Sequence, residues 1–154
     1  RTFDAINATM AGITGVSPNN TKVKTTYTSV RQSLPAINDI QAFLSSHQTS
    51  IAQLALQYCN VMVNDSTMRT AFFGAGFPST ISNQTDRDAI INPLFSKMVG
   101  NVISQPDQTD VHEKLNNLIT DLCNNSACST SKRTLDVTTA ACGAALGSAT
   151  TLVE

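Results

Sequence analysis

IAQLALQYCNVMV, residues 51–63, decides how the rest of the chain is read. Ile51, Leu54, Ala55, Tyr58, Cys59, Met62 and Val63 recur at steps of one, three and four. That is the stripe of a helix buried along one face. No Val/Ile/Thr alternation of the kind that makes a strand stands out elsewhere, so the fold class follows: all-α, a compact bundle of seven to eight helices. Phe3, Ile6, Met10 and Ile13 make a first helix that Gly15 ends as a C-cap. A second opens at Ser17-Pro18, carries Val23, Tyr27, Val30 and Leu34, and stops at Pro35. A third begins near Asn38 with Ile40, Phe43 and Leu44 inward, and Ser45-Ser46 breaks or bends it. After the 51–63 helix comes a short piece, Ser66 to Phe73.

Residues 74–85, GAGFPSTISNQT, form the one long loop, because Gly74, Gly76 and Pro78 forbid regular structure. Thr85 or Asp86 then caps a helix with Ile90, Ile91, Leu94, Phe95, Met98 and Val99 inward, and Pro93 inside it predicts a kink or a fresh start. Val102 and Ile103 continue the apolar pattern past Gly100. Pro106 starts a helix with Val111, Leu115, Leu118, Ile119 and Leu122 on its inner face. Asp107 and Asp110 sit where the helix dipole favours acids. The last helix runs from about Ser131 to Leu152. No internal repeat or linker divides the chain, so residues 1–154 read as a single helical domain.

The four cysteines, Cys59, Cys123, Cys128 and Cys142, bound the compartment. An even number without C-x-x-C spacing reads as two disulfides and a non-reducing environment, extracellular or at a cell surface. Four cysteines allow three pairings. Cys123 and Cys128 flank the short loop NNSA across a helix end, within bridging reach, which leaves Cys59 for Cys142. Four buried free thiols are the alternative. The chain begins on Arg1 rather than Met, which reads as a piece of a longer, processed precursor.

Charge excludes other classes. Charged residues make up 14% of the 154 and the net charge is −1, against about a quarter charged in ordinary domains. Ser, Thr, Asn and Gln supply the polarity instead. A phosphate backbone requires a basic stripe, so nucleic acid is not a partner. The apolar-leaning run Val137–Val153 is too short and too hydroxylated to span a membrane.

Catalytic chemistry is equally sparse. There are two histidines, His47 and His112. His112 with Asp110 and Glu113 reads as a capped helix start rather than a metal site. His47 should bond a neighbouring backbone carbonyl, and an enzyme would need the fold to unite it with an Asp. No G-x-S-x-G elbow occurs. The acids Asp86 and Asp88 point to different sides of a helix, and Gly74-Ala75-Gly76 lacks the lysine of a phosphate loop. No catalytic residue, metal ligand or cofactor site is assigned, and the chain does not read as an enzyme. Five N-x-S/T sequons occur, at Asn7, Asn19, Asn64, Asn83 and Asn124.

Two surfaces remain. Phe72, Phe73 and Phe77 flank the Gly/Pro loop and would form the mouth of a site for a glycan or small apolar ligand. Ala140, Ala141, Gly143, Ala144, Ala145, Gly147, Ser148 and Ala149 form a small-residue surface on the last helix, with Ala140, Ala144, Gly147 and Ser148 as its candidate assembly face. That surface either lets this helix thread its own bundle or meets another copy of the chain. On the threading reading, Ala144→Leu overpacks the core and unfolds the domain.

The segments TFDAINATMAGITGVSP, LPAINDIQAFLSSHQTSIAQLALQYCNVMV and RDAIINPLFSKMVG, then the C-x4-C loop before TTAACGAALGSA, together resemble a helical domain of large secreted proteobacterial proteins. Those proteins often carry laminin-G-like or immunoglobulin-like modules. The resemblance implies a cell-surface setting: adhesion, matrix or an extracellular fibre. Its implied partners are neighbouring modules or copies of the chain itself. It carries no enzymatic role and no functional residue to transfer.

Overall fold

The computed structural model describes residues 2–32, 45–99 and 108–152. These hold α1 (Phe3–Thr14), α2 (Thr21–Gln32), α3 (Ser45–Asn64), α4 (Ser66–Phe73), α5 (Gln84–Leu94), a π-helical turn (Phe95–Val99), α6 (Gln108–Asn125) and α7 (Ser131–Leu152). No strand occurs among the described residues. The expected third helix over Asn38 to Leu44, the stop at Pro35, and Gly100, Val102, Ile103 and Pro106 lie outside them.

Local chemistry sets the helix ends. Thr2 caps α1 by accepting from the Ala5 amide, and Gly15 closes it at φ 72°, its amide bonding the Ala11 carbonyl. That left-handed turn strains any residue with a Cβ. Ser17-Pro18 does not start α2. Hydroxyl and amide turns through Ser17 and Asn20 delay the helix to Thr21. Asn83, rather than Thr85 or Asp86, caps α5. Its Oδ1 accepts from the Asp86 amide, while the Asp86 carboxylate turns back onto the Ser82 amide and hydroxyl at 2.9 Å. Asp86 is therefore the reciprocal partner in a capping box, and these donated bonds, that of the Ser82 amide foremost, lower its pKa. The helix runs through Pro93 and then widens into the π turn. A proline cannot donate to the preceding turn, and a π turn is one way of absorbing that defect.

The core is built on α3 and α7. The seven stripe residues of residues 51–63 are all buried, Leu54, Ala55, Tyr58, Cys59, Met62 and Val63 fully. The pairs Cys59–Cys142, Leu56–Gly143 and Ala52–Gly147 run in opposite order along the two helices, so α3 and α7 are antiparallel. They also lie close. A Cβ on Gly143 would fall 2.4 Å from Leu56 Cδ2, and one on Gly147 would fall 3.6 Å from the Ala55 Cβ. Small residues permit this approach. Helix α2 packs on α3, α1 packs on both central helices, and α6 covers α7 and α5. Helix α6 presents Leu115 and Ile119 to the core, with Val111 and Leu122 half-buried beside them.

Two tyrosines tie the helices together through their hydroxyls. The Tyr58 hydroxyl donates to Asn7 Oδ1 at 2.7 Å, which joins α3 to α1. Burial pushes its pKa up to about 12. Tyr27 stacks on Phe3 with ring centroids 5.2 Å apart and donates to the Asp4 carboxylate, while Arg31 lies over the ring.

Candidate functional site

Both disulfides are formed as expected, Cys59–Cys142 and Cys123–Cys128, with no free cysteine among the described residues. The first joins the two central helices. The second closes the turn between α6 and α7 and places the Cys128 carbonyl to accept from the Ile81 amide at 3.0 Å. Through that bond the α6–α7 turn holds the loop between α4 and α5. A second clamp comes from Thr134, fully buried on α7. Its hydroxyl lies 3.0 Å from the carbonyl oxygens of both Ser79 and Thr130. The long loop is thus pinned at Ser79 and Ile81.

This pinning decides where the three phenylalanines go. Phe72 and Phe73 are core residues, 5% and 7% exposed, in an edge-to-face pair at 4.8 Å. Neither opens onto solvent, which removes two thirds of the expected aromatic mouth. Phe77 is half-buried, 5.2 Å from Phe73. It does line a cavity, of about 260 Å³, between the end of α4, the loop and the start of α7. Arg69 lies beside it, with its guanidinium carbon 5.5 Å from the Phe77 ring centre and Nη1 donating to the Val63 carbonyl at 2.7 Å. Sequence reasoning does not single out Arg69. The only signal for it is a cation four residues after a helix N-cap, which has no diagnostic value until the loop folds back over it.

The small-residue surface divides in two. Gly143 and Gly147 both face α3. Ala140 is half-buried, whereas Ala144 and Ser148 are exposed, the Ser148 hydroxyl bonding the Ala145 carbonyl. The helix therefore threads its own bundle on one side and leaves Ala144 and Ser148 outside. Ala144→Leu does not reach the core, contrary to the expectation from sequence.

Neither histidine is bonded to a carboxylate among the described residues. His47 is buried, and its Nδ1 has no hydrogen-bond partner among the described residues, against the expected carbonyl. His112 Nε2 lies 3.2 Å from Asn92 Oδ1, with the Phe95 ring beside it. Asp110 pairs with Lys114 one turn along α6. No cluster of three potential metal ligands occurs among the described residues, and none of the helices so described is long and apolar enough to cross a membrane. Other hollows in the described surface are shallow, and two of them adjoin residues named above. One of about 630 Å³ between α2 and α3 is lined by uncharged residues around Leu56, which is 43% exposed. The other, of about 480 Å³, lies between α5 and α6 beside His112.

No family model, no curated protein and no solved structure matches the chain.

Proposed function

We propose that the chain is a structural or interaction domain of an extracellular bacterial surface protein, a stapled helical unit that packs against neighbouring modules or copies of itself in adhesion or in a fibre. The observation that carries this reading is the pair of disulfides, one of which bridges the two central helices. Such bonds persist in oxidising compartments. The segment-by-segment resemblance to helical domains of secreted proteobacterial proteins supports the same setting. A low charge density supports dense assembly, since like charges on adjoining copies repel. The exposed pair Ala144 and Ser148, beyond the α3 contact, is the face assigned to assembly.

Two measurements test it. Alkylation of the protein trapped in its native source should find all four cysteines blocked, and reduced cysteines there would remove the extracellular reading. Negative-stain microscopy and sedimentation of unreduced protein should show association that Ala144→Arg weakens. A monomer at all concentrations, unchanged by that substitution, would remove self-assembly through this face.

A second reading is a ligand-binding module. The cavity beneath residues 74–79, with Phe77 on its wall, favours it. A melting-temperature screen tests it, because a ligand that binds only the folded state raises that temperature.

A further inference from the structure

We infer that the cavity beneath the 74–79 loop is a site for a small oxyanion, a carboxylate or phosphate seated on Arg69 with its apolar part against Phe77. The inference rests on the ligand-binding reading and names the chemistry of the ligand. Four observations meet in this cavity. First, Arg69 lines it and is half-buried, yet among the described residues no carboxylate lies within ion-pair distance of it. Second, among the described residues its guanidinium forms one hydrogen bond, from Nη1 to the Val63 carbonyl. A guanidinium carries five N–H donors in a planar fork that matches a carboxylate or phosphate. Third, the other polar side chains of the wall are those of Thr70, Ser79 and Ser131, whose hydroxyls can donate to an anion and add no competing negative charge. Fourth, Phe77, Pro78 and Leu135 give the wall an apolar side.

The volume sets the size of the occupant. About 260 Å³ lies just under the range of roughly 300–1,000 Å³ common for drug-sized ligands. It suits a single small acid rather than an oligosaccharide. Charge sets its sign. A partly desolvated cation without a counter-ion is costly, and a ring face and one carbonyl offset only part of that cost. A bound oxyanion supplies what is missing.

Other cations in the molecule are differently placed. Arg31 faces Asp4, Lys114 faces Asp110 and Lys132 faces Asp136. Arg133 donates to the carbonyls of Leu122 and Ser126, and Lys97 to those of Ala71 and Phe72. Arg69 alone among these combines a cavity wall, a free part of the fork and a stacked ring.

The test is a titration of the unreduced protein with acetate, inorganic phosphate and benzoate, followed by ¹⁵N-correlated spectra that include the Arg69 Nε–H. Saturating shifts at Arg69, Ser79 and Ser131 are expected. Benzoate should bind more tightly than acetate, because its ring reaches Phe77; phosphate above both would make the occupant a phosphate instead. Arg69→Gln should weaken binding by about tenfold or more, the loss of charge-assisted bonds. That variant also loses the bond to Val63, so Ala75→Glu serves beside it. It keeps Arg69 and places a carboxylate on the cavity wall, and it should abolish anion binding in a folded protein. Shifts that never saturate, or that persist in both variants, overturn the site. Neutral probes decide between failures. Methyl glucoside binding at Phe77 without acetate, phosphate or benzoate binding overturns the anion and leaves the ligand-binding reading standing. No binding by any probe overturns both.

Discussion

Removing the two disulfides one at a time separates their roles. Cys59–Cys142 spans 83 residues of sequence and Cys123–Cys128 spans five. Loop-closure entropy then assigns about 4.5 kcal/mol to the first and about 2 kcal/mol to the second at 25 °C. Packing widens the gap. Cys59 and Cys142 are both wholly buried, so alanines there also leave a cavity where two sulfur atoms were, which costs roughly 1–2 kcal/mol more. In a chain of this size each kcal/mol moves the melting temperature by about 2–4 °C. The C59A/C142A pair should therefore lower it by roughly 11–26 °C and C123A/C128A by roughly 4–8 °C. Urea unfolding of the two variants, followed by far-ultraviolet circular dichroism, checks the order directly. If the short-loop variant loses as much stability as the long-loop one, α3–α7 is not the contact that organises the bundle, and a core centred on those two helices is refuted.

Three further outcomes follow from the packing. Gly143→Ala should be nearly neutral, within about 1 kcal/mol: Leu56 is exposed enough to swing aside, and alanine favours the helix over glycine by a similar amount. Gly143→Val should cost about 1–3 kcal/mol, since its methyls are driven into α3, whereas Ala144→Leu should change stability by less than about 0.5 kcal/mol. Chemical denaturation of the three variants reads these values. Asn7→Ala should cost about 1 kcal/mol, because the Tyr58 hydroxyl falls back on the Asn7 carbonyl at 3.3 Å; Tyr58→Phe, which removes the donor as well, should cost no more. Ultraviolet titration should find Tyr58 ionising near 12. Its folded-state pKa is raised above the ordinary 10.0, so its contribution is complete below pH 10 and is lost as pH rises toward 12. A melting temperature that held constant across that window would contradict the burial of its hydroxyl.

Much of this fold is legible in the sequence, for a physical reason. Helices α1, α3, α4 and α7 bury stripes whose spacing repeats the helical turn, and Gly15 announces the end of the first. The cysteine pairing is readable because a five-residue spacing leaves one short closure, and the remaining two cysteines then have only each other. The cap of α5 is misread from sequence because Asn83 and Asp86 are both good caps in isolation. Only the direction of their hydrogen bonds separates the cap from its partner. Phe72 and Phe73 are misassigned to a mouth because an aromatic beside a Gly/Pro loop looks the same whether the loop opens outward or is pinned inward. The bonds that pin it join Ile81 to Cys128 and Ser79 to Thr134, and no local pattern encodes them.

The same long-range bonds explain why chemistry is hard to find from sequence. Threonine is abundant, but Thr9, Thr14, Thr25, Thr28, Thr49, Thr120, Thr138 and Thr139 all turn their hydroxyls onto the carbonyl four residues earlier. A hydroxyl held this way is occupied, and the methyl group is what the residue presents to its surroundings. Three cations serve carbonyls at or near helix C-terminal ends: Arg69 at α3, Lys97 at α4 and Arg133 at α6. Such bonds satisfy acceptors that every helix leaves open. A surface that is hydroxyl-rich and sparsely charged by composition therefore has many of its hydroxyls already occupied in the fold. That is a property suited to close contact with another protein surface, and it supports the proposal that this domain packs against one. Arg69 departs from the pattern because its carbonyl takes only part of the fork, and the cavity beside it leaves room for a ligand.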